Sequence, residues 1–447
     1  MKRNILKGLT LGVLTTATVL VGYTQERTTL FGRELSPEYV VPGTNIVRCG
    51  THQHAELQGI EFAGVKAPDI VEGTYVENND VYVIPVVVHV IHSGQAVGTG
   101  RNVSDARVHS QIKVLNEDFR KEANTPGYGQ GVDTHIEFCL VKTDPEGNPT
   151  TGINRVNMGN MQWNRNNIET TLKPQTQWDP TRYFNIWVVQ FAGDAEGLLG
   201  YAQFPEGSTL LGIPASGSAN TDGVVINWSA FGRRSESPGS YMPTYDKGRT
   251  ATHEVGHCLG LRHIWGDNAS CTVNALDTMQ DFCPDTPAAA AANHECPPGL
   301  DSCPAAPGLD MTWNYMDYGG DNCLNTFTNN QRTRMRTTLQ NAQRRASLIT
   351  PSNLDQVCGG VSVDDFKFGN ISIFPNPAND VLNIVVPDNQ SITGKLVVYN
   401  AVGQQVYTTQ VSQINHHAID VSNFAKGAYF VKIENQGSVK TVQFIKK

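Results

Sequence analysis

The sequence predicts an α+β unit followed by a small all-β sandwich. Three observations point there. The β-branched run VYVIPVVVHVI opens a series of strand-like segments with a helical one between them. Residues 266–327 are rich in Pro and Cys and have no lasting periodicity. The end of the chain is filled by short alternating segments separated by Asn, Gly and Asp. At 447 residues the chain exceeds one typical core, so two or more folded units are expected. Hydrophobic residues at 39% and charged residues at 17% place it with globular proteins. A formal net charge of −8 argues against a nucleic-acid partner and otherwise speaks only of solubility.

In chain order, MKRNILK is basic and GLTLGVLTTATVLVG is mostly apolar. This reads as a secretory signal peptide over residues 1–24, cut before Gln25. The alternative is an uncleaved anchor, but the apolar run is short for a membrane span. No other stretch is long enough to cross a membrane. Export permits disulfides among the nine cysteines, and their odd number leaves at least one thiol unpaired in a monomer, the state expected here. Residues 25–79 are weakly periodic, hold little that looks like core, and read as a propeptide, with an irregular N-terminal arm as the alternative.

The main unit is expected over 80–349. VYVIPVVVHVI reads as a buried central strand. Val108, Ile112, Leu115 and Phe119 fall at helical spacing, with Ser104 as N-cap. IEFCLVK, YFNIWVVQFA and DGVVINW are further strands. The stretch 266–327 carries Pro284, Pro287, Pro297, Pro298, Pro304, Pro307 and five cysteines, so it reads as loops stapled by disulfides. Thr328 and Gln331 have capping-box spacing ahead of a helix. A linker over 350–369 then leads to a β-sandwich over 370–447.

The chemistry lies in HEVGHCLGLRH, residues 253–263. On a helix, His253 and His257 share one face, one turn apart, so both imidazoles reach one metal ion. Gly260 can end the helix by taking positive φ. The chain then delivers His263 as a third ligand. Three imidazoles with one position left open describe a catalytic zinc site. Glu254, one residue along, is placed as general base. Cys258 points away from the histidine face. His89, His92, His109, His294, His416 and His417 share no ligand spacing and read as core or surface residues.

HExxHxxGxxH resembles the signature of the metzincin zinc proteases, which also carry a methionine turn downstream. Asn314-Tyr315-Met316-Asp317-Tyr318 matches that turn. Within the group the chain resembles the secreted, ulilysin-like pappalysins from about Ile84 to Arg336. The matching stretches are IPVVVHVIH, QIKVLNEDFR, GRTATHEVGHCLGLRH, DTP at Asp285–Pro287, DSCP at Asp301–Pro304 and NYMDYGGDNCLNTFT. The resemblance implies a two-subdomain catalytic fold. A twisted, mostly parallel sheet with backing and active-site helices sits over a loop-rich, disulfide-stapled lower subdomain. It implies zinc-dependent cleavage of proteins or peptides. Met316 would floor the zinc ligands, and Tyr318 would stabilise the tetrahedral intermediate.

It further implies disulfides Cys271–Cys303 and Cys296–Cys323. Calcium is a second expected ion, with Asp281, Asp285 and Thr286 as candidate ligands. Cys258–Cys283 is expected as an extra bridge, with free buried thiols as the alternative, and Cys139 with Cys358 is a further candidate pair. Cys49 matches the prosegment cysteine that holds the fourth zinc position in the latent form; an unrelated free cysteine is the alternative. Asp321 is the carboxylate after the methionine turn that would give a preference for Arg or Lys at P1′.

Residues from about 370 resemble the C-terminal sorting domain of type IX secretion. The match rests on Ile373-Phe374-Pro375-Asn376-Pro377-Ala378, GKLVVYNAVGQQV, Lys426–Lys432 and the basic end Phe444–Lys447. It implies the type IX machinery as a partner and a secreted or cell-surface location. A substrate-binding sandwich is the alternative. The functional readings are a secreted zinc endopeptidase made as a zymogen, or a non-catalytic surface adhesin on the same scaffold. Glu254 favours the enzyme, because a binding module has no use for a general base.

Overall fold

The computed structural model describes residues 28–57, 76–358 and 372–447, apart from 79, 160, 214–216, 268–269, 276, 278–279, 386–391 and 436–437. The expected signal peptide therefore lies outside the described residues. The main sheet runs β4 (Ile136–Leu140), β3 (Tyr82–His92), β6 (Phe184–Val189), β8 (Val224–Asn227), β7 (Gly200–Ala202), with β5 (Ile153–Asn157) pairing the far half of β3. Every pairing is parallel except β7 with β8. β3 reads as one apolar run because it is buried on both faces. Parallel pairing needs crossovers, and α2 (Asp105–Phe119) supplies the first. Ser104 caps α2 by accepting from the Arg107 N–H, and Val108, Leu115 and Phe119 face the core.

β5 and β7 are not legible in the sequence. INRVN has two apolar residues, and GYA is three residues long. Both become strands only because a neighbouring edge satisfies their backbone groups.

Residues 266–327 contain no helix or strand among the described residues. Disulfides Cys271–Cys303 and Cys296–Cys323 tie this lower region. The expected Cys258–Cys283 bridge does not form, and both thiols are free and buried. Cys258 Sγ donates to the Gln203 carbonyl at 3.2 Å, on the sheet side of its helix. Cys283 instead lies in the neighbourhood of Asp281, Asp285 and Arg334.

Two segments depart from expectation. Residues 28–57 are not coreless: Leu30, Leu35, Tyr39, Val40, Val47 and Cys49 are buried in the main core. They form the hairpin β1 (Thr29–Leu30) and β2 (Arg33–Glu34), then α1 (Thr51–Leu57). The expected linker also begins too early. Pro351–Val357 is helical, capped by the Thr350 hydroxyl, and Cys358 is bridged to Cys139 on β4. The Val357 carbonyl accepts from Lys142 N–H at 2.6 Å. The main unit thus runs to Cys358.

The strands of the C-terminal region pair antiparallel. One sheet is β13 (His416–Asp420), β10 (Val381–Val385), β9 (Ser372–Phe374). The other is β12 (Gln405–Ile414), β11 (Ile392–Asn400), β14 (Gly427–Asn435), β15 (Ser438–Lys446). Alternate residues such as Leu396, Val398, Val431 and Ile433 face a separate core with Leu382, Ile384 and Phe444.

Candidate active site

α3 (Arg249–Cys258) starts after Gly248 and ends before Gly260, whose φ of +92° lets the chain reverse. It packs on α2 through a buried contact: Asp118 accepts from Arg249 Nη2 at 3.2 Å and from the Thr252 hydroxyl at 2.8 Å. This fixes the helix that carries His253, Glu254 and His257.

The three imidazoles are set by their outer nitrogens. His253 Nδ1 donates to the Tyr315 carbonyl at 2.7 Å, His257 Nδ1 to the Leu261 carbonyl at 2.8 Å, and His263 Nδ1 to Asp267 at 2.6 Å. Each bond places the proton on Nδ1 and leaves the Nε2 lone pair free. Burial lowers all three pKa values, so the rings are neutral, as ligands must be. The Nε2 atoms converge, with separations of 3.1, 3.1 and 3.3 Å. Ligands about 2.0–2.1 Å from a tetrahedral zinc stand about 3.3 Å apart, so the cradle is zinc-sized.

A fourth donor completes the set. Cys49 Sγ is 3.5 Å from His257 Nε2, and the four donor atoms lie within 4.8 Å of one another. A thiolate about 2.3 Å from zinc stands about 3.6 Å from a ligating nitrogen, so this distance fits too.

Glu254 is fully buried beside them. Its Oε2 accepts from the Thr51 hydroxyl at 2.8 Å and lies 3.4 Å from Cys49 Sγ. Burial holds its pKa up at about 7. Met316 lies beneath the helix. A Cβ on Gly256 would come within 2.6 Å of Met316 Sδ, so glycine at this position of the motif lets the floor approach. The Tyr318 hydroxyl donates to the Cys49 carbonyl at 3.4 Å, and its ring is edge-on to His263 at 4.9 Å.

Residues 38–51 lie along the cleft. The Val47 N–H donates to the Gly197 carbonyl at 3.1 Å, its carbonyl accepts from Leu199 at 2.9 Å, and the Gly50 N–H donates to the Gly200 carbonyl at 2.9 Å. Val47 and Leu198 bridge in parallel, so this segment occupies the edge next to β7. Arg48 is buried. Its guanidinium donates to the Thr250 hydroxyl and the Arg249 carbonyl and lies over the Tyr245 ring at 5.3 Å.

Asp321 is also buried. Its Oδ2 accepts from the Lys247 N–H at 2.7 Å and the Arg249 N–H at 3.3 Å, and its Oδ1 has no hydrogen-bond partner among the described residues. Burial raises its pKa, and the Arg48 charge opposes that rise.

Of the three residues expected to bind calcium, two meet: Asp281 accepts from the Thr286 hydroxyl at 2.9 Å, while exposed Asp285 pairs with Asn330 at the start of the next helix. The carboxylate beside Asp281 is instead Asp277, whose Oδ2 accepts from the Asp281 N–H at 3.3 Å.

Sequence reading missed Arg48, Thr51, Gly256 and Asp267. Gly256 and Asp267 stand inside or just after the motif. Arg48 and Thr51 flank Cys49, and that adjacency was the available signal. His294, read as a core or surface residue, donates from Nε2 to the Glu38 carbonyl at 2.7 Å.

A buried tripod of neutral imidazoles with a carboxylate beside it, under a mixed sheet, defines a metalloprotease. Residues 167–340 match the family model described as Pregnancy-associated plasma protein-A, and residues 372–447 match the Secretion system C-terminal sorting domain. An extracellular metalloprotease of Colletotrichum graminicola is 34% identical over 252 residues, 56% of this chain and 74% of that protein. Two Tannerella forsythia structures are also similar. A mutant of promirolysin is 38% identical, with a TM-score of 0.51 over 62% of this chain and 87% of that one. Mature mirolysin in complex with a cleaved peptide is 40% identical, with a TM-score of 0.50 over 61% and 97%. The chain belongs to the pappalysin family; it is a secreted or cell-surface zinc metalloendopeptidase acting on protein substrates, and its sorting domain implies the type IX secretion machinery.

Proposed function

We propose that the enzyme is made as a latent precursor, with His253, His257 and His263 holding the zinc and Cys49 as a removable fourth ligand. The observation that carries this is the Cys49 thiol at ligand distance from the histidine nitrogens. Burial and the Glu254 carboxylate raise the thiol pKa when no cation is near, so Cys49 becomes a ligand only by releasing its proton to solvent as the metal binds.

Bound zinc supplies Lewis acidity toward water and the scissile carbonyl. Once the prosegment leaves, Glu254 loses its Thr51 and Cys49 partners. It then takes the proton of the attacking water and passes it to the leaving amine. A carboxylate poised near neutral pH suits both transfers. Tyr318 donates to the developing oxyanion; its bond to the Cys49 carbonyl supports that role, since the hydroxyl already reaches a carbonyl oxygen beside the donor set.

Asp321 selects Arg or Lys at P1′. Support comes from Arg48, a buried cation whose charge is felt at the Asp321 carboxylate, whose Oδ1 remains unpartnered. Residues 25–79 are then the prosegment, with residues 1–24 as its signal peptide. For calcium, Asp277 with Asp281 is a better-supported pair than Asp281 with Asp285.

The test compares full-length precursor, prosegment-free enzyme and their Glu254→Ala and Cys49→Ala variants on a peptide library. The expected result is cleavage before Arg or Lys by prosegment-free enzyme, none by Glu254→Ala, and an active Cys49→Ala precursor. A zinc-loaded, prosegment-free enzyme that cleaves nothing would overturn the mechanism. A Cys49→Ala precursor as latent as the parent would overturn the thiol switch.

A further inference from the structure

Asp267 stands four residues after His263, outside the histidine motif. It is not glycine, yet it holds a left-handed backbone with φ of +61°, directly after Gly266 at +67°. Such a conformation persists in a non-glycine residue where surrounding contacts fix it. Here those contacts are the site itself. Its Oδ1 accepts from His263 Nδ1 at 2.6 Å and from the Tyr39 hydroxyl at 2.7 Å. Its Oδ2 faces His52 Nδ1 at 3.7 Å. The Trp265 ring stacks flat on His263, with centroids 4.5 Å apart and planes within 4°. Tyr39 stacks on His52 and meets Tyr318 edge-on.

We propose that Asp267 is the positioning residue for His263 and, through Tyr39, the second anchor of the prosegment. A carboxylate behind a metal-bound imidazole fixes its tautomer and ring plane and strengthens it as a donor. His253 and His257 rest on backbone carbonyls instead, so His263 is the one ligand with an anionic partner. Tyr39 bonds the same oxygen. The prosegment therefore grips the centre at two separate points: Cys49 among the donors, and Tyr39 on the carboxylate behind the third histidine. The second grip rests on the latent-precursor reading but needs no thiol.

The experiment has two readouts. Latency is the ratio of peptidase activity after prosegment removal to that of the intact precursor, at saturating zinc. It is measured for Tyr39→Phe in both the parent and the Cys49→Ala background. Zinc retention is measured by chelator competition on prosegment-free enzyme. Tyr39→Phe is expected to cut the parent's latency about 10-fold, the effect of one charge-assisted hydrogen bond, to remove the residual latency that the Cys49→Ala precursor keeps, and to leave prosegment-free activity unchanged. Asp267→Gly, which keeps the backbone angle available, is expected to weaken zinc retention 10–100-fold. In that variant Tyr39→Phe should change latency no further, because the partner is gone. A Tyr39→Phe precursor as latent as its parent overturns the anchor. An Asp267→Gly enzyme that keeps zinc like wild type overturns the positioning role. A latent Cys49→Ala precursor sinks only the thiol switch, since the Tyr39 contrast is read within one background.

Discussion

Gly256 shows how one residue decides the geometry beneath the metal. Alanine is the better helix former by about 1 kcal/mol. Here its Cβ would stand 2.6 Å from Met316 Sδ in a closed core, and overpacking costs about 1–3 kcal/mol. The two terms nearly offset in stability, but the methionine must move. Gly256→Ala is expected to fold with a melting temperature within a few degrees of wild type and to lose most of its kcat. An unchanged kcat would show that the floor tolerates displacement. Asp321→Asn makes a different cut. Its backbone donors keep a carbonyl acceptor, but the charge is gone. Charged hydrogen bonds contribute about 1.5–3 kcal/mol, so preference for Arg over Leu at P1′ should fall about 10- to 100-fold. Competing-peptide kinetics would read that ratio, and an intact preference would remove Asp321 from the pocket.

At the scale of elements, α1 is where pH would act on the proposed prosegment. His54 is buried there with its Nδ1 accepting from Arg165 Nε at 3.0 Å. Burial lowers its pKa to about 3; Lys173 and Arg165 add to this, and Glu169 opposes it. Released into water it would titrate near 6.5. The released form therefore binds more protons between these values. Docking energy from a neutral His54 is complete above about 6.5 and is lost as pH falls, by about 1.4 kcal/mol per unit until about 3. Activation of the precursor should speed up on acidification below pH 6.5. His54→Gln should flatten that His54-dependent share of the slope. Identical pH profiles for both precursors would rule the helix out as the acid-sensitive element.

Elements also differ in how openly the sequence announces them. β3 is a continuous apolar run, α2 has a cap and a periodic face, and the helix after Thr328 has its full capping box. β7 has no such signal. Three residues carry no period, and GYA becomes a strand because β8 lies beside it. Residues 28–57 carry no clear signal for a related reason. Leu30, Leu35, Tyr39 and Val47 are too scattered to form a stripe, yet all four join the main core.

Among the described residues, the main core of the first unit and the core of the C-terminal sandwich share no residue. The Cys139–Cys358 bridge closes a sequence separation of 219 in a smaller cluster of the main unit with Val83, Val87 and Tyr183. Loop-closure entropy puts its contribution at about 5 kcal/mol, an upper value because the helix before Cys358 also packs in place. In scanning calorimetry, Cys358→Ser should lower the transition of the main unit by several degrees and leave that of the C-terminal sandwich unmoved. A shift in both would mean that the cores unfold together.

Sequence alone determined the metal tripod and the glutamate, because they form a short-range pattern with fixed spacing, while the methionine turn and the sorting domain were legible through their resemblance to known families. A helix places i and i+4 on one face whatever surrounds it, and Gly260 ends that helix by its own backbone freedom. Distant pairings were decided by tertiary structure. Asp281 turned to Asp277 rather than Asp285, and Cys258 stayed free because α3 points it at the sheet. Tyr39 met Asp267 across 228 positions, and Arg48 came to lie within reach of the Asp321 charge. Spacing along the chain cannot encode which surfaces meet; only the folded backbone sets those distances.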